Sequence, residues 1–185
     1  MTQTQWTLWV PKPVLFVLCL VPLAWLVWDG VTNNLGANPV ETVRRYTGDW
    51  TLRFLLIALT VTPLRRLTGW HVVIRLRRML GLFAFFYACL HFVSYIWLDQ
   101  FFMWDAIIED ILDRPYITVG VASFLLLIPL AVTSTNGMVR RLGARRWQRL
   151  HQLVYVIGVL GVIHFCGWSK VTSPSRSFMA PYSPC

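Results

Sequence analysis

Residues 74–98 read IRLRRMLGLFAFFYACLHFVSYIWL, three arginines followed by twenty residues without a formal charge. Twenty apolar residues are the length a helix needs to cross a hydrocarbon core of about 30 Å, at about 1.5 Å of rise per residue. Working outward, Tyr116–Thr135 repeats the pattern, again with no charge. Leu150–Trp168 is nearly as long, Val14–Trp28 is shorter, and Trp50–Leu64 carries Arg53 near one end. The reading is an all-α integral membrane protein, a five-span helical bundle. Composition agrees: of 185 residues, 56% are apolar and 14% charged, against roughly 25% charged in a soluble domain. That excludes a disordered chain, a collagen-like chain and a disulfide scaffold. The net charge of +9, from 17 Lys and Arg against 8 Asp and Glu, then points to membrane lipid and not to nucleic acid.

The charges sit in blocks that orient the chain. Arg65, Arg66, Arg75, Arg77 and Arg78 lie between two apolar runs, and Arg140, Arg141, Arg145, Arg146 and Arg149 between the next two. Short cytoplasmic loops are rich in Lys and Arg, so both blocks are read as cytoplasmic. The acidic segment 99–115 and the 29–49 loop then face outward, the N-terminus is cytoplasmic, and five spans carry the fifth helix outward. Trp28-Asp29-Gly30 after the first apolar run lacks the small-residue pattern of a signal-peptide cleavage site, so that run is read as an uncleaved span. Cys19, Cys89, Cys166 and Cys185 show no paired spacing, and no Cys-x-x-Cys-His motif for covalent haem attachment occurs.

Ionisable residues inside spans are functional candidates by default. His91, His151 and His164 lie in or at the edge of spans, whereas His71 falls in an arginine-rich loop. His91 lies 12 residues beyond Met79, about 18 Å along its helix, and His164 lies 14 beyond Leu150, about 21 Å. Those helices run in the same direction, so the two imidazoles share a depth nearer the outer face. Two imidazoles facing across an apolar gap suit a six-coordinate haem iron. His151 precedes His164 by 13 residues, about 20 Å of rise, a spacing that suits a second haem. On a straight helix, however, those side chains point about 140° apart, and counting 14 back from His91 reaches Arg77. Interhelical hydrogen bonding and a proton relay are the competing readings of these histidines.

Arg75, Arg77 and Arg78 can pair with a flavin phosphate or with haem propionates; equally, arginines there orient the chain and touch anionic lipid. No Gly-rich phosphate loop or nucleotide-binding domain is present, so electrons for a redox protein arrive from a quinol, a bound flavin or another protein. The tryptophans, Trp25, Trp28, Trp50, Trp97, Trp104, Trp147 and Trp168 among them, read as an interfacial belt. Segment 101–112 is amphipathic: Phe101, Trp104, Ile108 and Ile111 form one stripe, and Asp105, Glu109 and Asp113 another. The acidic stripe is read either as a solvated face or as a docking surface for an external partner.

Several short stretches carry a resemblance. They are LGANPV at 35–40, YTG at 46–48, TPL at 62–64, IRLRRMLGL at 74–82, the surroundings of His91 with Ser94 and Tyr95, RPY at 114–116 and TST at 133–135. Trp147, Leu150-His151, Tyr155 and His164-Phe165 complete the order. Across roughly residues 15–166 the chain resembles the haem-binding membrane subunits of bacterial periplasmic methionine sulfoxide reductase systems, in the ferric-reductase-like transmembrane family.

That resemblance implies an inner-membrane electron-transfer subunit with six spans, carrying one or two b-type haems in the bundle core and FMN. It implies a path from the quinone pool to a periplasmic molybdenum-containing catalytic subunit that reduces methionine sulfoxide. His91, His151 and His164 match the family's haem histidines, and Arg77 and Arg78 a basic stretch linked to FMN. The wider family carries two histidines on the third helix, where this chain has Arg77 at the inner position. Residues 1–168 are read as the haem domain. Residues 169–185, SKVTSPSRSFMAPYSPC, hold five serines and three prolines, which do not make a span; this tail is read as a truncated or frameshifted end. Against these stand a self-sufficient ferric or oxygen reductase, a histidine-containing transporter and a structural anchor.

Overall fold

The computed structural model describes residues 11–69 and 73–172. Its elements are α1 (Pro11–Val31), α2 (Pro39–Thr68), α3 (Val73–Val93) continued by a π-helical segment (Ser94–Asp99), and α4 (Trp104–Asp113). Then follow α5 (Pro115–Val132), α6 (Asn136–Leu142), α7 (Ala144–His151) and α8 (Leu153–Thr172). No strand occurs among the described residues. Among the described residues four stretches are long and apolar enough to cross a membrane: Lys12–Val31, Leu76–Asp99, Pro115–Val132 and Ala144–Lys170. The chain is a multi-pass, all-helical membrane protein.

The expected second span, Trp50–Leu64, is the middle of α2, which runs for 30 residues. It is not among the four apolar stretches because Arg44, Arg45, Asp49, Arg53, Arg65 and Arg66 all ride on it. Its start is sharp: the Asn38 side chain accepts from Glu41 N at 3.3 Å, and Pro39 supplies a first-turn residue whose missing N–H costs nothing there. Gly69, at φ 71°, ends it by donating to Arg65 O.

α2 packs mainly on α3, and α5 mainly on α8. Side-chain contacts give the directions. Arg44 near the start of α2 meets Asp99 beyond the end of α3, and Thr62 near the end of α2 meets Arg77 near the start of α3, so the two are antiparallel. His164 meets Tyr116 and His151 meets Thr133, making α5 and α8 antiparallel as well. The core between the pairs holds Phe54, Leu55, Phe83, Tyr87, Leu127 and Ile157, while Val17, Trp25, Leu125 and Val159 lie half or more exposed on the outside. An apolar exterior is what a bilayer solvates.

α1 is pinned by one hydroxyl. Pro22 interrupts its hydrogen-bond ladder, and Tyr87 fills the break: its Oη donates to Cys19 O at 2.9 Å and accepts from Leu23 N at 3.0 Å. A side chain inserted into the ladder satisfies two backbone groups that lipid cannot.

Three local expectations change. The helix read from Phe101 starts at Trp104, because Phe101 (φ 46°) and Phe102 (φ 59°) adopt left-handed backbone. Its buried residue is Ile107, 6% exposed, while Phe101, Trp104 and Ile108 all face outward; the apolar stripe is turned one position from the expected one. Trp50 packs on Phe54, and Trp147 stacks on His151. The fifth helix is broken at Gln152 into α7 and α8, and α8 continues to Thr172, four residues into the segment read as a tail. His71, Trp6, Trp9, Trp70 and residues 173–185, with the truncation reading, lie outside the described residues.

Candidate functional site

α3 carries His91 and α8 carries His164 into the same cavity, with ring centroids 6.1 Å apart and ring planes inclined at 73°. Each ring is tied to a backbone carbonyl of a neighbouring helix. His91 Nδ1 bonds to Arg44 O at 2.9 Å, and His164 Nδ1 to Tyr116 O at 2.6 Å. A carbonyl only accepts, so both Nδ1 atoms carry the proton and both Nε2 atoms keep a lone pair. This is the support that metal-bound histidines ordinarily have. Two metal–imidazole bonds of about 2 Å, with each centroid about 1 Å behind its nitrogen, place the centroids about 6 Å apart. The separation therefore fits one iron held between the two rings.

The cavity has a volume of about 300 Å³. Leu52, Leu55, Ala88, Phe92, Phe124, Leu127 and Ile157 form apolar walls, and Arg44, Arg45, Asp49, Tyr95, Arg114 and Tyr116 form a polar end. Apolar walls with a basic rim match a flat macrocycle bearing carboxylates. Gly48 and Gly120 stand against the two imidazoles. At the rim Arg44 pairs with Asp99 at 2.6 Å, and Arg45 lies over the Trp168 ring at 5.2 Å. Tyr95 donates to Asp110 Oδ2 at 2.9 Å, and Arg114 Nε meets Asp110 Oδ1 at 2.9 Å. Tyr116 and the Asp110 carboxylate together raise the Arg114 guanidinium above its ordinary value, so it stays charged throughout.

His151 is not part of this pair. It ends α7, stacks on Trp147 with centroids 4.0 Å apart, and its Nε2 bonds to Thr133 Oγ1 at 3.0 Å. The Thr133 hydroxyl donates to Pro129 O at 2.6 Å, so Nε2 is the donor toward Thr133 and Nδ1 holds the lone pair. His151 lines a second cavity of about 570 Å³ at the opposite end of the bundle, with Arg66, Arg77, Arg78, Gln148, Gln152 and Tyr155. Leu55 and Leu127 line both cavities and separate them. Arg77 donates to Thr62 Oγ1 at 2.9 Å and Arg78 to Asn136 Oδ1. Arg75 lies in the first turn of α3; its side chain lies outside the described part. Among the described residues no other histidine faces His151, and no cluster of three or more His, Cys, Asp or Glu forms a metal site. Asp105, Glu109 and Asp113 lie together on α4, all exposed and away from both cavities.

The spacing of the spans brings His91 and His164 together but does not show what seats them. Gly48 belongs to the YTG stretch and was not singled out. Asp110 was counted with the acidic segment, though it is half-buried and bonded. A glycine in mid-helix at histidine depth was the available signal for the first; nothing in the sequence distinguishes Asp110 from its neighbours.

Residues 47–162 match the family described as "Ferric reductase like transmembrane component". The chain belongs to this ferric-reductase-like transmembrane family. Among its relatives, a protein of Herminiimonas arsenicoxydans is 58% identical over 159 residues, covering 86% of this chain and 72% of that protein. One from Rhodospirillum rubrum is 61% identical over 150 residues, 81% of this chain and 72% of its own length. One from Xanthomonas euvesicatoria pv. vesicatoria is 52% identical over 182 residues, 95% of this chain and 82% of its own. Each is named as the protein-methionine-sulfoxide reductase heme-binding subunit MsrQ. The resemblance read from the short motifs is met by relatives sharing more than half of the aligned residues.

Proposed function

We propose that the chain is a membrane redox subunit of a methionine sulfoxide reductase system, holding b-type haem between His91 and His164. The observation that carries this reading is the pair of imidazoles 6.1 Å apart, each held through Nδ1 by a helix carbonyl. A haem there supplies one-electron transfer. The carbonyls of Arg44 and Tyr116 hold the tautomers, the apolar walls exclude water, and the rim arginines offset carboxylate charge.

The finer path follows from the same reading. Electrons come from the quinone pool and leave to the periplasmic molybdenum-containing catalytic subunit, MsrP. The second cavity takes the remaining cofactor: Arg77 and Arg78, with Arg75 beside them in sequence, hold an FMN phosphate or haem propionates, and His151 is the candidate ligand of a second haem. Asp105, Glu109 and Asp113 form the docking face for the partner, on the periplasmic side of a bacterial inner membrane. Both arginine blocks and the N-terminus then lie in the cytoplasm.

The test is a reduced-minus-oxidised absorption spectrum of the purified protein with haem quantified per chain. The wild type gives sharp b-type bands, and His91→Ala and His164→Ala each lower the haem content by one per chain. An unchanged spectrum in both variants overturns the ligand assignment.

A further inference from the structure

The two imidazoles are seated in the same way. His91 Nδ1 bonds to the carbonyl of Arg44, and Gly48 follows four residues later on α2. His164 Nδ1 bonds to the carbonyl of Tyr116, and Gly120 follows four residues later on α5. In both cases residue i gives the acceptor and residue i+4, one turn further on the same face, lies against the ring. A Cβ at position 48 would stand 3.0 Å from both Cε1 and Nδ1 of His91, and one at position 120 would stand 2.6 Å from Nδ1 of His164. Those atoms belong to a rigid ring already held by a hydrogen bond, so the ring cannot yield as a flexible chain end does. Neither glycine has a positive φ, and glycine is the poorest helix former after proline. Local backbone geometry therefore does not call for glycine at either place; the close approach does.

We propose that Gly48 and Gly120 are positioning residues for the haem iron, which set the inclination of the two imidazoles and keep Nδ1 within reach of its carbonyl. A methyl group at either position swings the ring away and weakens the Nδ1–H···O bond. That bond raises the basicity of the ligand nitrogen, and the relative orientation of two imidazole planes sets the ligand field of low-spin ferric iron. Gly167 is a different case: its Cβ would meet Tyr116 Cβ at 2.6 Å, a contact of helix with helix and not with a ligand.

This inference rests on His91 and His164 as haem ligands, and the experiment separates the two claims. Gly48→Ala and Gly120→Ala are purified as full chains, with Gly137→Ala, which has open space around it, as the control. The readouts are the g values of the oxidised haem in electron paramagnetic resonance, its midpoint potential and its affinity. Both variants are expected to shift the g values, to raise the potential as the ligand becomes a poorer donor, and to weaken haem binding by about 10- to 100-fold. The control keeps wild-type values. Gly48→Ala makes the milder clash and decides alone if Gly120→Ala does not fold. Wild-type g values and potential in Gly48→Ala overturn the seating role while leaving the ligands in place. A haem content per chain unchanged in both His91→Ala and His164→Ala overturns the ligand reading itself.

Discussion

Removing the Asp110 carboxylate should loosen α4 without disturbing His91 and His164. Asp110 accepts from the buried Tyr95 hydroxyl at 2.9 Å, from Gln100 Nε2 at 3.4 Å, and pairs with Arg114 at 2.9 Å. The contributions are unequal. A hydrogen bond from a buried hydroxyl to a carboxylate is worth about 1.5–3 kcal/mol. The Arg114 pair is an i,i+4 pair with a half-exposed guanidinium, worth about 0.3–0.5 kcal/mol, and the contact at 3.4 Å adds little. Asp110→Ala should therefore cost about 2–3 kcal/mol of local stability. At about 1.36 kcal/mol per tenfold, that is a rise of about 30- to 150-fold in the open population of α4. Native-state hydrogen exchange over residues 104–113 reads it directly. Asp110→Asn keeps an acceptor but not the charge and should lose about half as much. In a cycle with Tyr95→Phe, the two losses should couple by at least about 1 kcal/mol. Exchange in Asp110→Ala within a factor of two of wild type, with additive behaviour in the cycle, would refute the tether.

Three further outcomes follow from the geometry. Tyr87→Phe strips the hydroxyl that bridges Leu23 N and Cys19 O and should destabilise the fold by about 1–3 kcal/mol in a reversible detergent unfolding titration; a change under about 0.5 kcal/mol would mean that the two backbone groups pair with each other across the Pro22 kink. Arg77→Gln with Arg78→Gln should lower flavin retention about tenfold or more while the His91/His164 haem spectrum stays unchanged, because the two arginines line the other cavity; equal loss of both would show the cavities to be one site. Asp105→Asn, Glu109→Gln and Asp113→Asn together should slow electron transfer to the partner and flatten its salt dependence, and unaltered rates across ionic strength would remove α4 from the docking face.

The bundle was readable in the sequence because bilayer thickness sets the length of uncharged runs, and the arginine blocks separate them. The His91 and His164 pairing was readable for a related reason: parallel helices that start at one surface convert residue number into depth. α2 was harder, since its charges sit at both ends and on one face and dilute its apolar middle. The break at Gln152 is local hydrogen bonding that composition does not encode. The seats of the two imidazoles depend on which faces of α2 and α5 turn inward, and that is decided by packing across the bundle. The rotation of α4 has the same origin: Ile107 is selected over Ile108 by the tether at Asp110 and the left-handed turn at Phe101 and Phe102.

The π-helical segment Ser94–Asp99 lies just beyond His91 and just before the α4 cap, with Gln100 N bonded to Tyr95 O five residues back. It holds one residue more per turn than an α-helix would over the same path. An extra residue taken up locally in this way leaves the helix on either side in phase, whereas the same residue carried in an ordinary α-helix would turn everything downstream by about 100°. Without the wide turn, the extra residue would part Arg44 from Asp99 and Asp110 from Tyr95, while Gly48, Arg44 O and His91 stayed where they are. The wide turn therefore keeps the outer cap in register with the helix that carries His91. A one-residue change in chain length can be taken up at this point without turning the surface above it or moving the imidazole beneath it.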